Sequence, residues 1–232
     1  MKSGRQLIVS IVAAGVLLGV ATPAAAGATT TTTVNPTTDR ATAQRINLTA
    51  ADLPGWQKLP SSANTSSPEF DATMNACVGM SVKDELSVAS PNFAQGSTQI
   101  SSQVSMVRSR AQGLANLRAV KSSRVPSCLK KAMTSTLLGL PQGTRVSKLK
   151  VSLFKPTESL PNSFGLRIGA TISQTKQGIT VSVPITATEI GFLVGRTEVS
   201  LNEIQKAQAV PPAVEPELLR TLSARAGGTV SA

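Results

Sequence analysis

A serine and a lysine stand three residues apart at Ser127–Lys130 and at Ser173–Lys176. On a helix that spacing sets the lysine one turn from the serine, where a buried amine could take its proton. The second pair closes a predicted strand, where the geometry fails. The first encloses Cys128 and has Lys131 beside it, and no K-T-G or S-D-N motif follows in register. Other nucleophilic chemistry is excluded more firmly. The chain has no histidine, which removes Ser-His-Asp and Cys-His catalysis, the commonest general base and zinc sites of the Cys/His type. There is no phosphate-binding loop and no G-x-G-x-x-G, so no cofactor is implied. Asp71, Asp84 and Glu85 cluster in sequence, as paired carboxylates of a glycosidase would. They are read here as loop charges and helix caps.

What the sequence does offer is cations. Between Glu85 and Glu158 there is no acidic residue, while Arg108, Arg110, Arg118, Lys121, Arg124, Lys130, Lys131, Arg145, Lys148, Lys150 and Lys155 fall in that interval. The formal net charge is +11. If two helices and the next strand share a face, Arg118, Lys121, Lys130, Lys131, Arg145 and Lys148 form a set able to grip phosphates or carboxylates. The partners implied are an anionic wall polymer or acidic lipid, with peripheral membrane contact open. Nucleic acid fits poorly, because aromatic residues make up 3% of the chain and no nucleic-acid motif is present. A solvated basic face is the plain alternative.

The only two cysteines, Cys77 and Cys128, flank the start of this block. In an exported chain two cysteines most simply form one disulfide, worth about 4 kcal/mol for a loop of this size. A reactive thiol lacks both a histidine and a C-x-x-C partner.

Export itself is read from the N-terminus. Lys2 and Arg5 precede the mostly apolar Leu7–Val20, and Ala24-Ala25-Ala26 supplies a cleavage site near Ala26, giving a signal peptide over 1–26. That apolar stretch would rise about 21 Å as a helix, short of a bilayer core of roughly 30 Å. Retention as an anchor stays open. Residues 27–45, with the Thr29–Thr33 run, read as a disordered linker, 46–226 as one globular domain and 227–232 as a disordered tail.

Within the domain, Thr49 predicts an N-cap for a helical turn ended by Pro54-Gly55. Trp56 follows, as a core plug or the wall of a cleft. A short helix over Phe70–Met80 carries Cys77. Alternation of Ile100, Ser102, Val104 and Met106 predicts a strand over Phe93–Arg108. A helix follows with Leu114, Leu117 and Val120, and another begins at Pro126. Strands are expected over Val146–Phe154, Ser163–Ser173, Ile179–Val183 and Glu189–Val199, then a final helix over Val214–Ala226. The fold class is therefore α/β in the α+β sense: an antiparallel sheet of about five strands packed with three or four helices.

The stretch Leu48-Thr49-Ala50-Ala51-Asp52-Leu53-Pro54-Gly55-Trp56 resembles the opening of secreted actinobacterial domains similar to the extracellular sensor domain of PknH-type serine/threonine kinases. The order that follows also matches: a cysteine, a strand around Val104, a helix at Arg110-Ala111, a second cysteine, a meander whose last strand carries Gly195-Arg196 near its end, and a terminal helix. The resemblance implies helices packed on a curved antiparallel sheet, with a cleft for an extracellular ligand and no catalytic residues. Two departures stand out: such sensors carry two disulfides where this chain can form one, and no kinase is attached. The expected function is an exported, non-catalytic ligand-binding or sensor-like domain of the cell envelope. A protein-interaction module and a serine–lysine hydrolase are the alternatives.

Overall fold

A computed structural model describes residues 35–59, 68–78, 86–137, 142–158, 160, 162–206 and 214–227. The leader over 1–26, the linker up to residue 34, Asp84, Glu85, Pro211-Pro212 and the tail from 228 lie outside the described residues.

Regular structure begins ten residues earlier than the domain was expected to. Pro36–Ile46 is a helix, α1, so the C-terminal part of the supposed linker is folded. Asn35 caps it, its Oδ1 accepting from the N–H groups of Thr37 and Thr38, and Pro36 occupies the first turn where a missing N–H costs nothing. Composition hid this helix because its apolar face is only Ala43 and Ile46. Its remaining anchor is long-range: Asp39 forms an ion pair with Arg196. Tertiary contacts, not propensity, fix a helix of this kind.

The 3-10 turn Ala50–Asp52 follows, capped by Thr49 in a reciprocal box with Asp52. Gly55, at φ +81°, closes it as the Pro-Gly pair predicts. The strands are β1 (Gln57–Lys58), β2 (Leu86–Ala89), β3 (Phe93–Gln95), β4 (Thr98–Met106), β5 (Thr144–Phe154), β6 (Ser163–Lys176), β7 (Ile179–Val194) and β8 (Thr197–Lys206). They form one antiparallel sheet in the order β1-β3-β4-β8-β7-β6-β5, with β2 also paired to β4. Eight strands replace the expected five. The two runs expected at Ile179–Val183 and Glu189–Val199 are not separate strands. They are the two ends of β7 plus the start of β8, because Gly195 at φ +60° turns the chain inside the second run.

The other helices are α2 (Pro68–Val78), α3 (Arg110–Val120), α4 (Val125–Leu137) and α5 (Val214–Arg225). They cover the sheet diagonally. On one face α1, the 3-10 turn and α5 bury Ile46, Leu48, Leu53 and Leu218, Leu219 and Leu222 against Ile100, Val104, Ile190, Phe192, Val199 and Leu201. On the other face α2, α3 and α4 bury Phe70, Met74, Val120, Leu129 and Met133 against Phe164 and Leu166. Ser102 lies among apolar neighbours in β4 because its hydroxyl is fully used. It accepts from the Leu48 N–H and donates to Asn47 Oδ1, tying the end of α1 to the sheet. Cys77 of α2 and Cys128 of α4 form the expected disulfide, with 5.6 Å between their Cα atoms.

The edge strand β5 contains one irregularity with consequences for the basic residues. Val146 and the set Leu149, Val151 and Leu153 are out of phase for a plain strand, yet all pack inward. A bulge between Ser147 and Lys150, with Lys148 at φ 55°, resets the alternation. Lys148 is thus thrown outward at a kink.

Candidate functional site: a lysine-rimmed groove at the end of the β5–β6 hairpin

The open end of β5 and β6 is built from two phenylalanines seated on glycines. Phe154 faces Gly165 across β5–β6, and Phe164 faces Gly191 across β6–β7. A Cβ at Gly165 would lie 2.5 Å from the Phe154 ring, and one at Gly191 would lie 2.1 Å from the Phe164 ring. Both positions must therefore be bare for the rings to lie flat on the sheet. The two phenylalanines sit on opposite faces, one in each major hydrophobic cluster. Where these clusters meet at the sheet end, they leave an open groove of about 520 Å³.

Leu153, Phe154, Leu160, Phe164 and Gly165 give this groove apolar walls, with Asn162 and Ser163 among its polar lining. The loop is held in shape locally. Ser163 Oγ donates to the Leu160 carbonyl at 2.8 Å, the Leu193 N–H donates to the Asn162 carbonyl, and Asn162 adopts the left-handed region that asparagine tolerates. The charged lining is Lys121, the C-cap of α3, and Lys155, which follows β5; both are exposed. No carboxylate lines the groove among the described residues. An apolar hollow of this size with a few convergent polar groups is the usual form of a small-molecule site, and two cations with no anion select for a negatively charged end.

Of the six cations expected to act together, Lys121 lines the groove. Arg118 is exposed one turn before it on α3, Lys130 and Lys131 are exposed on α4, and Arg145 and Lys148 are exposed on β5. Trp56 is half-buried against the main cluster and is not among the groove residues. Lys155 belonged to the basic run in the sequence but was not singled out. Leu160, Asn162 and the two Phe-on-Gly pairs were missed, since pairing of Phe154 with Gly165 becomes visible only once the strand register is known.

The serine–lysine spacings do not meet the requirement of a buried amine. Ser127 Oγ donates to the Arg124 carbonyl at 2.8 Å on the first turn of α4, and both Ser127 and Lys130 are exposed. Ser173 and Lys176 are three apart on β6, so their side chains leave opposite faces, and Ser173 Oγ pairs with Ser182 Oγ.

Ionisable groups elsewhere divide into two kinds. Asp52 is partly buried, which works to raise its pKa. That is outweighed by bonds from Arg225, the Thr49 N–H and the Thr49 hydroxyl, and by the charge of Arg225, so its carboxyl sits below the ordinary value. Arg225 grips it with two hydrogen bonds, at 2.9 and 2.5 Å. Glu203 of β8 and Glu215 of α5 are pushed the other way. Burial raises both; Glu203 adds a like charge to Glu215, while Arg167 works against both shifts and Gln205 against that of Glu203. Arg167 also lies over the Phe154 ring, 4.9 Å from its centroid. Among the described residues no three His, Cys, Asp or Glu side chains gather as metal ligands would.

Fold and groove together define an antiparallel sheet domain with helices on both faces and a cationic, apolar-walled hollow at one end. The sequence matches no family model and no curated protein. Among solved structures it is similar to the extracellular domain of PknH from Mycobacterium tuberculosis, covering 73% of this chain and 98% of that chain at 7% identity and a TM-score of 0.31. That likeness is distant and carries no weight in what the groove binds.

Proposed function

We propose that this protein is an exported, non-catalytic binding domain of the cell envelope that takes an anionic amphiphile in the β5–β6 groove. The observation that carries the reading is Lys121 and Lys155 set beside Leu153, Phe154, Leu160 and Phe164 with no carboxylate among them. The lysines suit a phosphate or carboxylate head, and the phenylalanine and leucine walls suit an alkyl or aryl tail. Location outside the cytoplasm is supported by the leader-like N-terminus and by the Cys77–Cys128 disulfide, a bond that persists in oxidising compartments. Ser163 Oγ is engaged with the Leu160 carbonyl, which favours binding over turnover.

Calorimetric titration with dodecyl phosphate below its micelle concentration tests this. The wild-type chain binds, and the double variant Lys121→Glu, Lys155→Glu loses about tenfold or more in affinity. Neutral dodecanol binds more weakly than the phosphate. Equal affinity of wild type and double variant for dodecyl phosphate, or no binding by the wild type, would overturn the reading.

A further inference from the structure

The β6–β7 hairpin runs past its neighbours. Strand β8 ends at Lys206, opposite Ile185, so among the described residues no strand pairs with the outer edge of β7 from Ile179 to Pro184. The hairpin itself remains fully paired to its end, where Lys176 faces Ile179. The turn between them is Gln177-Gly178, with φ +51° and +78° in succession, the tight two-residue connection that matches strand twist. This is a stiff projection.

Its tip is apolar. Ile179 is 69% exposed and Val181 is 59% exposed, and these are the exposed large hydrophobic side chains among the described residues. Alternation on a strand puts them on one face with Val183, which packs on the small cluster of Ile172, Ile185, Ala187 and Ile204. β-Branched residues suit a strand, but that preference gives no reason to leave two of them bare at the end of a projection. Lone exposed apolar residues are ordinary, whereas an adjacent pair continuous with a core points to something that covers them.

The charges around the tip indicate what does. Lys176 lies directly across from Ile179 on the same face, whereas Arg145, opposite Ser173, leaves the reverse face of the hairpin, with Lys148 three residues further along β5. No acidic residue occurs between Glu158 and Glu189. A second copy added strand-to-strand is opposed on both sides. Pro184 on the free edge of β7 has no N–H to donate, and the β5 edge carries Arg145, Lys148, Lys150 and a bulge. Two apolar side chains at an acid-free hairpin tip, with Lys176 on their own face and Arg145 on the reverse face, match the boundary of an anionic bilayer, where apolar groups enter the acyl region and Lys or Arg meets the phosphates. Among the described residues no helix is long and apolar enough to cross a membrane.

We infer that the tip of the β6–β7 hairpin is a membrane-surface wedge: Ile179 and Val181 enter the headgroup–acyl boundary of an anionic bilayer, and Lys176 and Arg145 engage its phosphates. The groove begins at Ser163, the other end of the same 14-residue strand. At about 3.3 Å per residue the two sites stand roughly 45 Å apart, so the wedge holds the groove clear of the surface. Wedge and groove are independent, and each can fail without the other.

Flotation of the full chain with vesicles of phosphatidylcholine containing one part in three phosphatidylglycerol tests the inference, with pure phosphatidylcholine vesicles alongside. Binding is expected to the anionic vesicles and to fall in about 1 M salt, where the screening length shrinks to about 3 Å. The double variant Ile179→Ser, Val181→Ser loses about tenfold or more in partitioning at an unchanged Tm. An environment-sensitive dye on Gln177→Cys shifts to the blue on the same vesicles. The inference is overturned by a wild-type chain that ignores anionic vesicles, or by a double variant that binds as well as wild type. It is also overturned if only Lys121→Glu, Lys155→Glu abolishes flotation, which assigns the lipid to the groove. Concentration-dependent self-association lost in the Ile179/Val181 variant would assign the tip to a second copy.

Discussion

The two ends of the sheet are built on different terms. Around β4 and β8 both faces are occupied, and even the polar residues Ser101, Ser102, Ser105, Glu198, Ser200 and Glu203 are buried. From β5 to the outer part of β7 the helices cover one face, and the other presents Arg145, Lys150 and Arg167 to solvent. The acids are distributed to match: Asp39, Asp52, Glu189, Glu198 and Glu203 belong to the covered part, whereas β5 and β6 contain none. In the covered part, carboxylates are structural partners, as Asp39 is to Arg196 and Asp52 to Arg225. In the open part, Arg145, Lys148 and Lys150 are exposed on a strand that contains no acidic residue. The difference teaches that net charge here is a property of place, and that the groove and the hairpin tip both lie at ends of β5 and β6, two strands without an acidic residue.

The largest expected effect breaks the covered part where it meets the groove. Gly191→Ala drives a methyl into the Phe164 ring, with the nearest ring atom at 2.1 Å, and should cost about 2–3 kcal/mol in urea unfolding. By contrast Ile179→Ser at the bare tip should move stability by less than about 0.5 kcal/mol. Equal losses at the two positions would dissolve the distinction between scaffold and surface.

A smaller effect sharpens the same comparison through pH. The Asp52 carboxyl is held below its ordinary value, so its contribution is present at neutral pH and is lost as pH falls through the folded-state pKa. Asp52→Asn should cost about 1–2 kcal/mol at neutral pH and approach wild type in acid. Glu203 is raised, so the stability linked to its protonated form is present below the ordinary glutamate range and lost as pH rises through the folded value. Glu203→Gln keeps an acceptor for Gln205 and should melt higher than wild type at neutral pH, with the gain vanishing in acid. Thermal melts of both variants across pH check the opposite signs.

Much of this architecture was legible in the residues. The alternation of Phe164, Leu166, Ile168 and Ile172 marks β6, the Thr49–Asp52 box marks its turn, and two cysteines in an export-type chain mark the disulfide. What was not legible depended on distant partners. Helix α1 has two buried apolar side chains and an arginine 157 positions away, neither of which its Thr-rich composition displays. The β7–β8 turn at Gly195 follows directly on the alternation of Ile190, Phe192 and Val194, and the left-handed backbone there separates two strands. A run of like-signed residues says nothing about facing, and of the six cations grouped by sequence Lys121 lines the groove. Lys121 and Lys155 line the same groove because a helix end and a strand end do, 34 positions apart.

The central claim, that the open end of the sheet binds an anionic amphiphile, is tested most directly by amide chemical-shift mapping during a dodecyl phosphate titration. The account predicts saturable shifts at Lys121, Phe154, Lys155 and Asn162–Gly165, with β4 and β8 unmoved. Shifts confined to Lys130, Lys131 and Arg145, or spread over the chain without saturation, would contradict it.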